Sequence, residues 1–172
     1  RHTPVAGGPP LARAAHTATE VGGRVFVFGG ESASGRLNDL WLLDLGEGRW
    51  SSPPVRGKPP APRSGHTALL VGRFLTVFGG WDGDAHLADV HLLDTVELEW
   101  FYLGDSAVLE GRSGHSCTLV RDDRAVLLGG WDEQRFLADA WCFDGAELLE
   151  ADAVDGEDEP GEERGAGEKE AE

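Results

Sequence analysis

The stretch VFGGWDGD at 77–84 places two adjacent glycines and a Trp-Asp pair directly behind an apolar run. The chain repeats this arrangement as LLGGWD at 127–132, and a related one as VFGGE at 27–31. The glycine pairs occupy positions 29–30, 79–80 and 129–130, so they are fifty residues apart each time. A fixed period of this length predicts a repeat architecture.

Other residues recur in register with the glycine pairs. Arg13 and His16 align with Arg63 and His66, and with Arg112 and His115. Aspartates recur at 39, 89 and 139, and again at 44, 94 and 144. Trp50 and Trp100 close the first two units, whereas Glu150 holds that place in the third. The chain is therefore predicted to contain three copies of one unit, at approximately 11–50, 61–100 and 110–150.

Four short segments of each unit have strand character. In the second unit they are HTALLV, FLTVF, DVHLLD and EWFYL, at 66–71, 74–78, 89–94 and 99–103. Hairpin-length connections between them predict an antiparallel meander. The second segment is apolar on both faces, which suits a strand covered on both sides. A small sheet of this kind is typical of a propeller blade.

The glycine pair has a mechanical role in this interpretation. We expect it to end the second strand, at positive φ and without a Cβ that would clash at a crowded edge. A longer loop should follow, at 31–38, 81–88 and 131–138. No helical segment follows the glycines, so a phosphate-binding loop is disfavoured.

A unit of about 50 residues with R-S-G-H-T, an apolar strand ending in Gly-Gly, two spaced aspartates and a closing Trp resembles the kelch repeat. The resemblance covers residues 1–150 and implies an all-β, kelch-type β-propeller with three four-stranded antiparallel blades. The last blade is expected to be incomplete, because the third unit lacks its closing Trp and outer strand. The proline-bearing linkers are similar to those of kelch proteins of the Rab9-effector, host-cell-factor and acyl-CoA-binding type.

Propellers typically close with about four to eight blades. Three blades are therefore expected to form part of a larger propeller. Two arrangements would complete it: missing blades elsewhere in a longer sequence, or pairing with a second chain. The first is favoured here, because repeat arrays need capped ends and none is visible.

Composition narrows the functional classes. The net charge is −16, and residues 151–172 carry ten acidic side chains against Arg164 and Lys169. This segment is predicted to be an acidic disordered tail. Such acidity argues against nucleic acid as a partner, and no apolar run is long enough for membrane insertion. Two cysteines without a disulfide framework favour a cytoplasmic, or alternatively nuclear, location.

The longer loops and the linkers 51–62 and 101–111 are predicted to share one face, where binding normally occurs on a rigid scaffold. Aromatic and arginine side chains among opposite charges are typical of a protein-binding surface. The predicted partner-binding residues on this face are Arg36, Trp81, Asp82, Asp84, His86, Trp131, Asp132, Arg135 and Phe136. The alternative interpretation is that Trp81 and Trp131 pack against their own loops.

Catalytic, metal and cofactor sites are not predicted. Asp82, Asp84 and His86 could in principle bind a divalent ion, but the neighbouring loops supply no matching histidine. The recurring histidines at 16, 66 and 115 suggest a shared packing and hydrogen-bonding role rather than a catalytic base. Cys117 and Cys142 are expected at a crowded inner position and a buried apolar position, too far apart for a disulfide.

The kelch resemblance therefore implies a non-enzymatic scaffold that mediates protein–protein interactions through its long-loop face. Two alternatives remain: a substrate-recognition subunit of a ubiquitin ligase, and a metal-dependent kelch enzyme of the nitrile-specifier or oxidase type. The oxidase alternative would need copper held by tyrosine and histidine. The single tyrosine, Tyr102, lies on a predicted outer strand, which argues against it.

Overall fold

The β-strands of the chain form three sheets, which we call blades 1, 2 and 3. The computed structural model describes residues 6–121 and 124–144; the predicted acidic tail and residues 145–150 lie outside them. Blade 1 contains β1 (Thr17–Val21), β2 (Arg24–Ser32), β3 (Gly35–Asp44) and β4 (Arg49–Ser51). Blade 2 contains β5 (Arg56–Gly57), β6 (Thr67–Val71), β7 (Phe74–Trp81), β8 (His86–Asp94) and β9 (Glu99–Asp105). Blade 3 contains β10 (Ser116–Arg121), β11 (Arg124–Trp131) and β12 (Phe136–Asp144).

Each blade is an antiparallel meander, as the hairpin-length connections predict. The strand orders are β1-β2-β3-β4, β5-β9-β8-β7-β6 and β10-β11-β12. Blade 2 differs from the predicted four-stranded sheet, because the short strand β5 pairs in parallel with the start of β9. The linker from blade 1 thus adds a fifth strand to the next blade. Among the described residues there is no helix that could cross a membrane.

The prediction that the glycine pair ends the second strand is wrong. Strands β2, β7 and β11 continue past the glycines, and the register of each with the following strand shifts at this point. Gly79 and Gly80 adopt φ angles of 63° and 104°. A Cβ on Gly79 would lie 2.8 Å from the carbonyl oxygen of Arg112, in the segment that leads into blade 3. The pair therefore forms a β-bulge that admits the backbone of the next repeat.

Because the strands continue, the predicted long loops are short. The connections from the second to the third strand of each blade span only 33–34, 82–85 and 132–135. Trp81 and Trp131 are the last residues of β7 and β11. The sequence interpretation placed these two tryptophans in loops, whereas in the structure their backbone is held by strand hydrogen bonds.

A buried arginine holds each blade to the segment that precedes its first strand. Arg63 donates to both carboxylate oxygens of Asp89, at 2.6 and 2.7 Å, and to the carbonyl oxygens of Ala61 and Gly79. The pairs Arg13–Asp39 and Arg112–Asp139 repeat this bidentate geometry. Burial acts to raise the pKa of Asp89, but hydrogen bonds from Arg63 and His91 outweigh it and hold this pKa well below its usual range.

Neighbouring blades are joined by one set of polar contacts that repeats. The Gly30 amide donates to the Arg63 carbonyl, and the Arg63 amide donates to the Leu37 carbonyl. The ring nitrogen Nε2 of His66 lies 3.0 Å from the Thr17 hydroxyl oxygen of blade 1. The equivalent contacts between blades 2 and 3 are Gly80 to Arg112, Arg112 to Leu87, and His115 to Thr67. The recurring histidines therefore connect blades.

The apolar side chains are buried between blades. One cluster lies between blades 1 and 2 and comprises Phe26, Phe28, Leu40, Leu42, Leu75, Val77, Leu93 and Trp100. A smaller cluster between blades 2 and 3 comprises Phe78, Leu109 and Leu127. Strands β2 and β7 are thus apolar because each contributes to such an interface.

The cysteines are both free, but they differ in exposure. Cys117 is half-buried beside the smaller cluster. Cys142 is exposed, which contradicts the expectation of a buried apolar position. Its equivalents Leu42 and Leu92 are covered by the next blade, and within the described residues no sheet covers that side of blade 3.

Candidate partner-binding face

The three hairpin turns at 33–34, 82–85 and 132–135 lie at the same end of their blades, because each joins the second strand to the third. We call this end, with the strand residues that flank the turns, the hairpin face. It carries all nine predicted partner-binding residues. Five of them are in strands rather than in loops: Arg36, Trp81, His86, Trp131 and Phe136.

Asp82 and Asp132 shape the turns. The Oδ1 atom of Asp82 accepts hydrogen bonds from the amides of Asp84 and Ala85, both at 2.8 Å. Asp132 Oδ1 accepts equivalent bonds from the amides of Gln134 and Arg135. The amides of Ala85 and Arg135 are the main reason why the pKa values of these two carboxyls are lowered. Both aspartates therefore have a structural role in addition to any role at a surface.

Aromatic pairs border the turns. The rings of Trp81 and His86 lie 4.6 Å apart, and those of Trp131 and Phe136 lie 4.8 Å apart. The Arg36 guanidinium carbon, from blade 1, lies 5.7 Å from the centre of the Trp81 ring. Each tryptophan thus packs against the strand that follows it. Trp81 also forms a cation–π contact with the Arg36 side chain of the preceding blade.

Trp81, His86 and Trp131 line one shallow groove, which runs across the inner ends of the blades. Both tryptophans are half-buried, so each presents part of its ring to solvent. Phe136 is 84% exposed and extends the aromatic surface on blade 3. The structure thus brings the two tryptophans together on one surface, although each also packs locally.

The groove includes residues that sequence reasoning missed. Glu133, an exposed acid with a positive φ of 82°, lies at its edge. Ser64 and Ser113 border it as well, and their amides donate to the carbonyls of Trp81 and Trp131. Both serines belong to the R-S-G-H motif, which could have identified them. The sequence analysis, however, assigned that motif to the inner strand, away from the turns.

Charged side chains surround the aromatic residues. Arg135 is exposed and forms ion pairs with Glu110 at 3.1 Å and with Asp132 at 3.2 Å. Arg36 approaches Glu31 at 3.9 Å. Asp84 is exposed beside the second turn. An aromatic centre with a charged border is the layout of many protein interfaces.

The linkers were predicted to share this face, and this is wrong for residues near Arg56. Arg56 pairs with Glu97 and Glu99, beside the turn that joins β8 to β9 at the opposite end of blade 2. The parallel pairing of β5 with the start of β9 holds it there. This part of the linker therefore belongs to the edge of the blade.

The histidines of the inner strands are built into the blade interfaces. His66 and His115 are buried, and burial is the main cause that lowers their pKa values to about 3 and about 4. The Phe28 and Phe78 rings lie edge-on to them, at 5.4 and 5.3 Å. Packing and hydrogen bonding at the blade interfaces therefore explain why a histidine recurs at this position of the repeat.

Asp82 and His86, two of the three residues considered as metal ligands, make other contacts in the structure. Asp82 Oδ1 is occupied by two backbone amides, and the His86 ring packs on Trp81. Over residues 6–121 and 124–144, no three His, Cys, Asp or Glu side chains come together as a metal site would require.

Comparison with known proteins identifies the repeat. The family model for the KLHDC2/KLHL20/DRC7 Kelch-repeats domain matches residues 1–149. None of the curated proteins compared with the chain matches it.

Proposed function

Since the chain belongs to the KLHDC2/KLHL20/DRC7 kelch-repeat family, we propose that it is a non-enzymatic scaffold that holds a protein partner on the hairpin face. Kelch domains generally mediate protein interactions, and the three blades form part of such a propeller. The observation that carries the proposal is the groove in which Trp81 and Trp131 stand together. Aromatic anchors at the centre of a polar border are the usual layout of a binding hot spot.

The rigid backbone supports this role. Both tryptophans close long, hydrogen-bonded strands, and Asp82 and Asp132 fix the turns that follow. A surface that is already ordered loses little conformational entropy on binding. A partner could therefore gain most of the interaction energy of the two indole rings.

The absence of enzymatic activity is part of the proposal. It is supported by the contacts of the residues considered for acid–base or metal chemistry, since His66 and His115 contact the preceding blade and Asp82 accepts hydrogen bonds in its own turn. We further propose a reducing compartment, the cytoplasm or the nucleus, because Cys142 is both exposed and free.

We also propose that the open edges of blades 1 and 3 receive further blades, from a longer chain or from a second copy. At each interior junction the amide of the repeated arginine donates to a leucine carbonyl, and the ring of the repeated histidine is hydrogen-bonded to a threonine hydroxyl. Arg13 and His16 are the counterparts of the arginine and histidine on blade 1, and Leu137 and Ser116 are the counterparts of the leucine and threonine on blade 3. Sedimentation of the chain should reveal self-association, whereas a soluble, cooperatively folding monomer would contradict this proposal.

The binding proposal is tested by changing Trp81 and Trp131 together to alanine. Each change should cost on the order of 2 kcal/mol of binding if the ring is an anchor. We expect the double variant to lose the partners that the unmodified chain captures from lysate, and to keep its circular dichroism spectrum.

A matched control carries two changes on the opposite end, Arg49→Ala and Glu97→Ala, and should bind as the unmodified chain does. If the tryptophan variant unfolds, the rings serve blade packing, and the local-packing interpretation is correct. If it folds and still captures the same partners, the hairpin face is not the binding surface.

A further inference from the structure

The groove on the hairpin face combines aromatic rings with one acidic side chain. Trp81 and Trp131 line it together with Glu133, and among the described residues no arginine or lysine does so. Both indole rings are half-buried, so part of each is open to a ligand. The π-systems of indole rings and a carboxylate are groups that attract a cation.

Glu133 has no partner of its own. It forms no hydrogen bond or ion pair with residues 6–121 or 124–144. Arg135, in the same turn, pairs with Glu110 and Asp132 instead. The repeat spacing aligns Glu133 with Gly83, and their φ angles are 82° and 115°. Glycine is more stable than glutamate at positive φ, so blade 3 holds its unpaired carboxylate in an unfavourable backbone conformation.

Two serine hydroxyls add hydrogen-bond acceptors to the groove. The backbones of Ser64 and Ser113 exchange hydrogen bonds with those of Trp81 and Trp131, which fixes the serines beside the rings. Their hydroxyls form no hydrogen bond with a described residue, although Ser64 is only 7% exposed. The Ser64 hydroxyl oxygen retains some solvent-accessible surface. A ligand with N–H donors would therefore meet acceptors that the chain itself leaves free.

The charge around the groove favours a basic partner. The turns with their flanking residues, at 31–36, 81–86 and 131–136, contain five carboxylates and two guanidinium groups. The whole chain has a net charge of −16. This field attracts a basic segment and repels an acidic one.

We propose that the protein partner of the hairpin face presents an arginine side chain, which binds in this groove. The inference rests on the proposed function and names the chemistry of the partner. The guanidinium stacks on the indole of Trp81 or Trp131 and donates to the Glu133 carboxylate and the serine hydroxyls. Arginine suits the groove better than lysine, because its planar group is more weakly hydrated and has more donors. Arg36, which does not line the groove, already forms a cation–π contact with Trp81.

The test is titration of the full chain with the blocked tripeptide acetyl-Gly-Arg-Gly-amide, followed by the indole N–H signals of Trp81 and Trp131 in NMR spectra. Both signals should shift in a saturable manner. The same peptide with citrulline keeps the shape of the side chain and removes its charge, so it should bind about fivefold more weakly or worse. Absence of saturable shifts, or equal affinity for the citrulline peptide, would overturn the proposal.

A lysine peptide separates the guanidinium from positive charge in general. Acetyl-Gly-Lys-Gly-amide should bind about twofold more weakly than the arginine peptide or worse, since the ammonium is more strongly hydrated and does not stack. Equal affinity for the two peptides would overturn the assignment of arginine.

The carboxylate is tested by a pair of matched variants. Glu133→Gln should weaken binding of the arginine peptide by about two- to fivefold. Glu97→Gln removes the same charge at the opposite end of blade 2 and should leave the affinity unchanged. Equal losses, or none in either variant, would mean that the peptide does not bind beside Glu133.

Glu133→Gly separates binding from folding. It installs the residue that blade 2 has at position 83, so it should lower the affinity for the arginine peptide without lowering the thermal midpoint. Unchanged affinity in this variant would contradict the proposed contact.

The inference and the proposed function fail in different ways. The double alanine variant of Trp81 and Trp131 may lose its lysate partners while the arginine peptide gives no saturable shift. The hairpin face then binds a partner of other chemistry, and only the inference is overturned. If the double variant folds and keeps its partners, the proposed function fails, and the partner's arginine is overturned with it.

Discussion

The junction between blades 1 and 2 and the junction between blades 2 and 3 share their polar contacts and differ in their apolar filling. The His66–Thr17 contact of 3.0 Å recurs as His115–Thr67 at 2.8 Å. The angles between the phenylalanine and histidine rings are 73° and 75°. Among the described residues, in contrast, the buried cluster of the first junction has eight members and that of the second has three, and an apolar cavity lies at the second junction.

This difference shows how the repeat divides its tasks. Hydrogen bonds require close distances and good angles, so the polar contacts set the position of one blade relative to the next. Apolar packing has no such directionality. Its loss lowers stability without changing the position of one blade relative to the next. A repeat protein can therefore alter one interface and keep its architecture.

The largest expected effect comes from the buried ion pairs. Arg63→Ala should lower the free energy of unfolding by about 3–5 kcal/mol, because it removes the guanidinium that neutralises the Asp89 carboxylate and leaves the hydrogen bond from His91 in its place. Arg112→Ala should cost less, because the Asp139 side chain is 34% exposed whereas that of Asp89 is 15% exposed. Urea unfolding measures both. Equal losses would mean that the two junctions tolerate a stranded charge equally well.

The filled junction should depend strongly on Leu75. Leu75→Ala gives blade 2 the residue that blade 3 has at position 125, and should cost about 3 kcal/mol through lost contacts and a new cavity. Leu75 is fully buried beside Trp100 in the larger cluster. The same urea experiment measures this loss. A cost below about 1 kcal/mol would show that the first junction is no better packed than the second.

Acid should weaken both junctions together. Burial lowers the pKa of His66 to about 3 and that of His115 to about 4, whereas histidine in an unfolded chain titrates near 6.5. Between about pH 6.5 and pH 4 the unfolded state binds protons that the folded state excludes. As the pH decreases through this range, the free energy of unfolding should therefore decrease by up to about 1.4 kcal/mol per pH unit for each histidine.

The acid effect is measured by urea unfolding between about pH 7 and pH 5, a range in which the paired carboxylates stay ionised. The hydrogen bond from Arg112 is the main cause that lowers the pKa of Asp139 to about 2, so this group titrates only in stronger acid. His66→Gln and His115→Gln should each remove about half of the pH dependence. If the double variant keeps the full pH dependence of the free energy of unfolding, groups other than these two histidines are responsible for it.

The smallest effect is expected from the C-terminal segment. Deletion of residues 151–172 should change the free energy of unfolding by less than about 0.5 kcal/mol, because an acidic segment of this composition makes few fixed contacts. Thermal melts of both chains measure this. A large loss of stability would mean that the segment contributes to the junction between blades 2 and 3.

The apolar segments and their hairpin-length connections predicted antiparallel β-sheets, and the motifs that recur with the glycine pairs carried the resemblance to the kelch repeat. It could not predict that β7 runs on to Trp81, because a β-bulge at Gly79 depends on the approach of the Arg112 backbone from the next repeat. Residues that are distant in sequence decide such a feature. The spacing of side chains within one strand does not encode it.

The location of the candidate binding residues was predicted in part. The residues flanking the turns follow from strand order, and the structure places Trp81 and Trp131 on one groove. Glu133 was missed because its position depends on the backbone of the turn. The pairing of Arg63 with Asp89 was missed as well, although both residues recur at the repeat spacing, since that spacing identifies equivalent positions and not contacts.

Hydrogen exchange of the full chain tests the difference between the two junctions most directly. Amides of β2, which packs in the filled junction, should exchange more slowly than those of β11, which borders the cavity. Ala125→Leu should slow exchange in β11 and leave β2 unchanged. Equal protection of the two strands, or faster exchange in β2, would contradict the account.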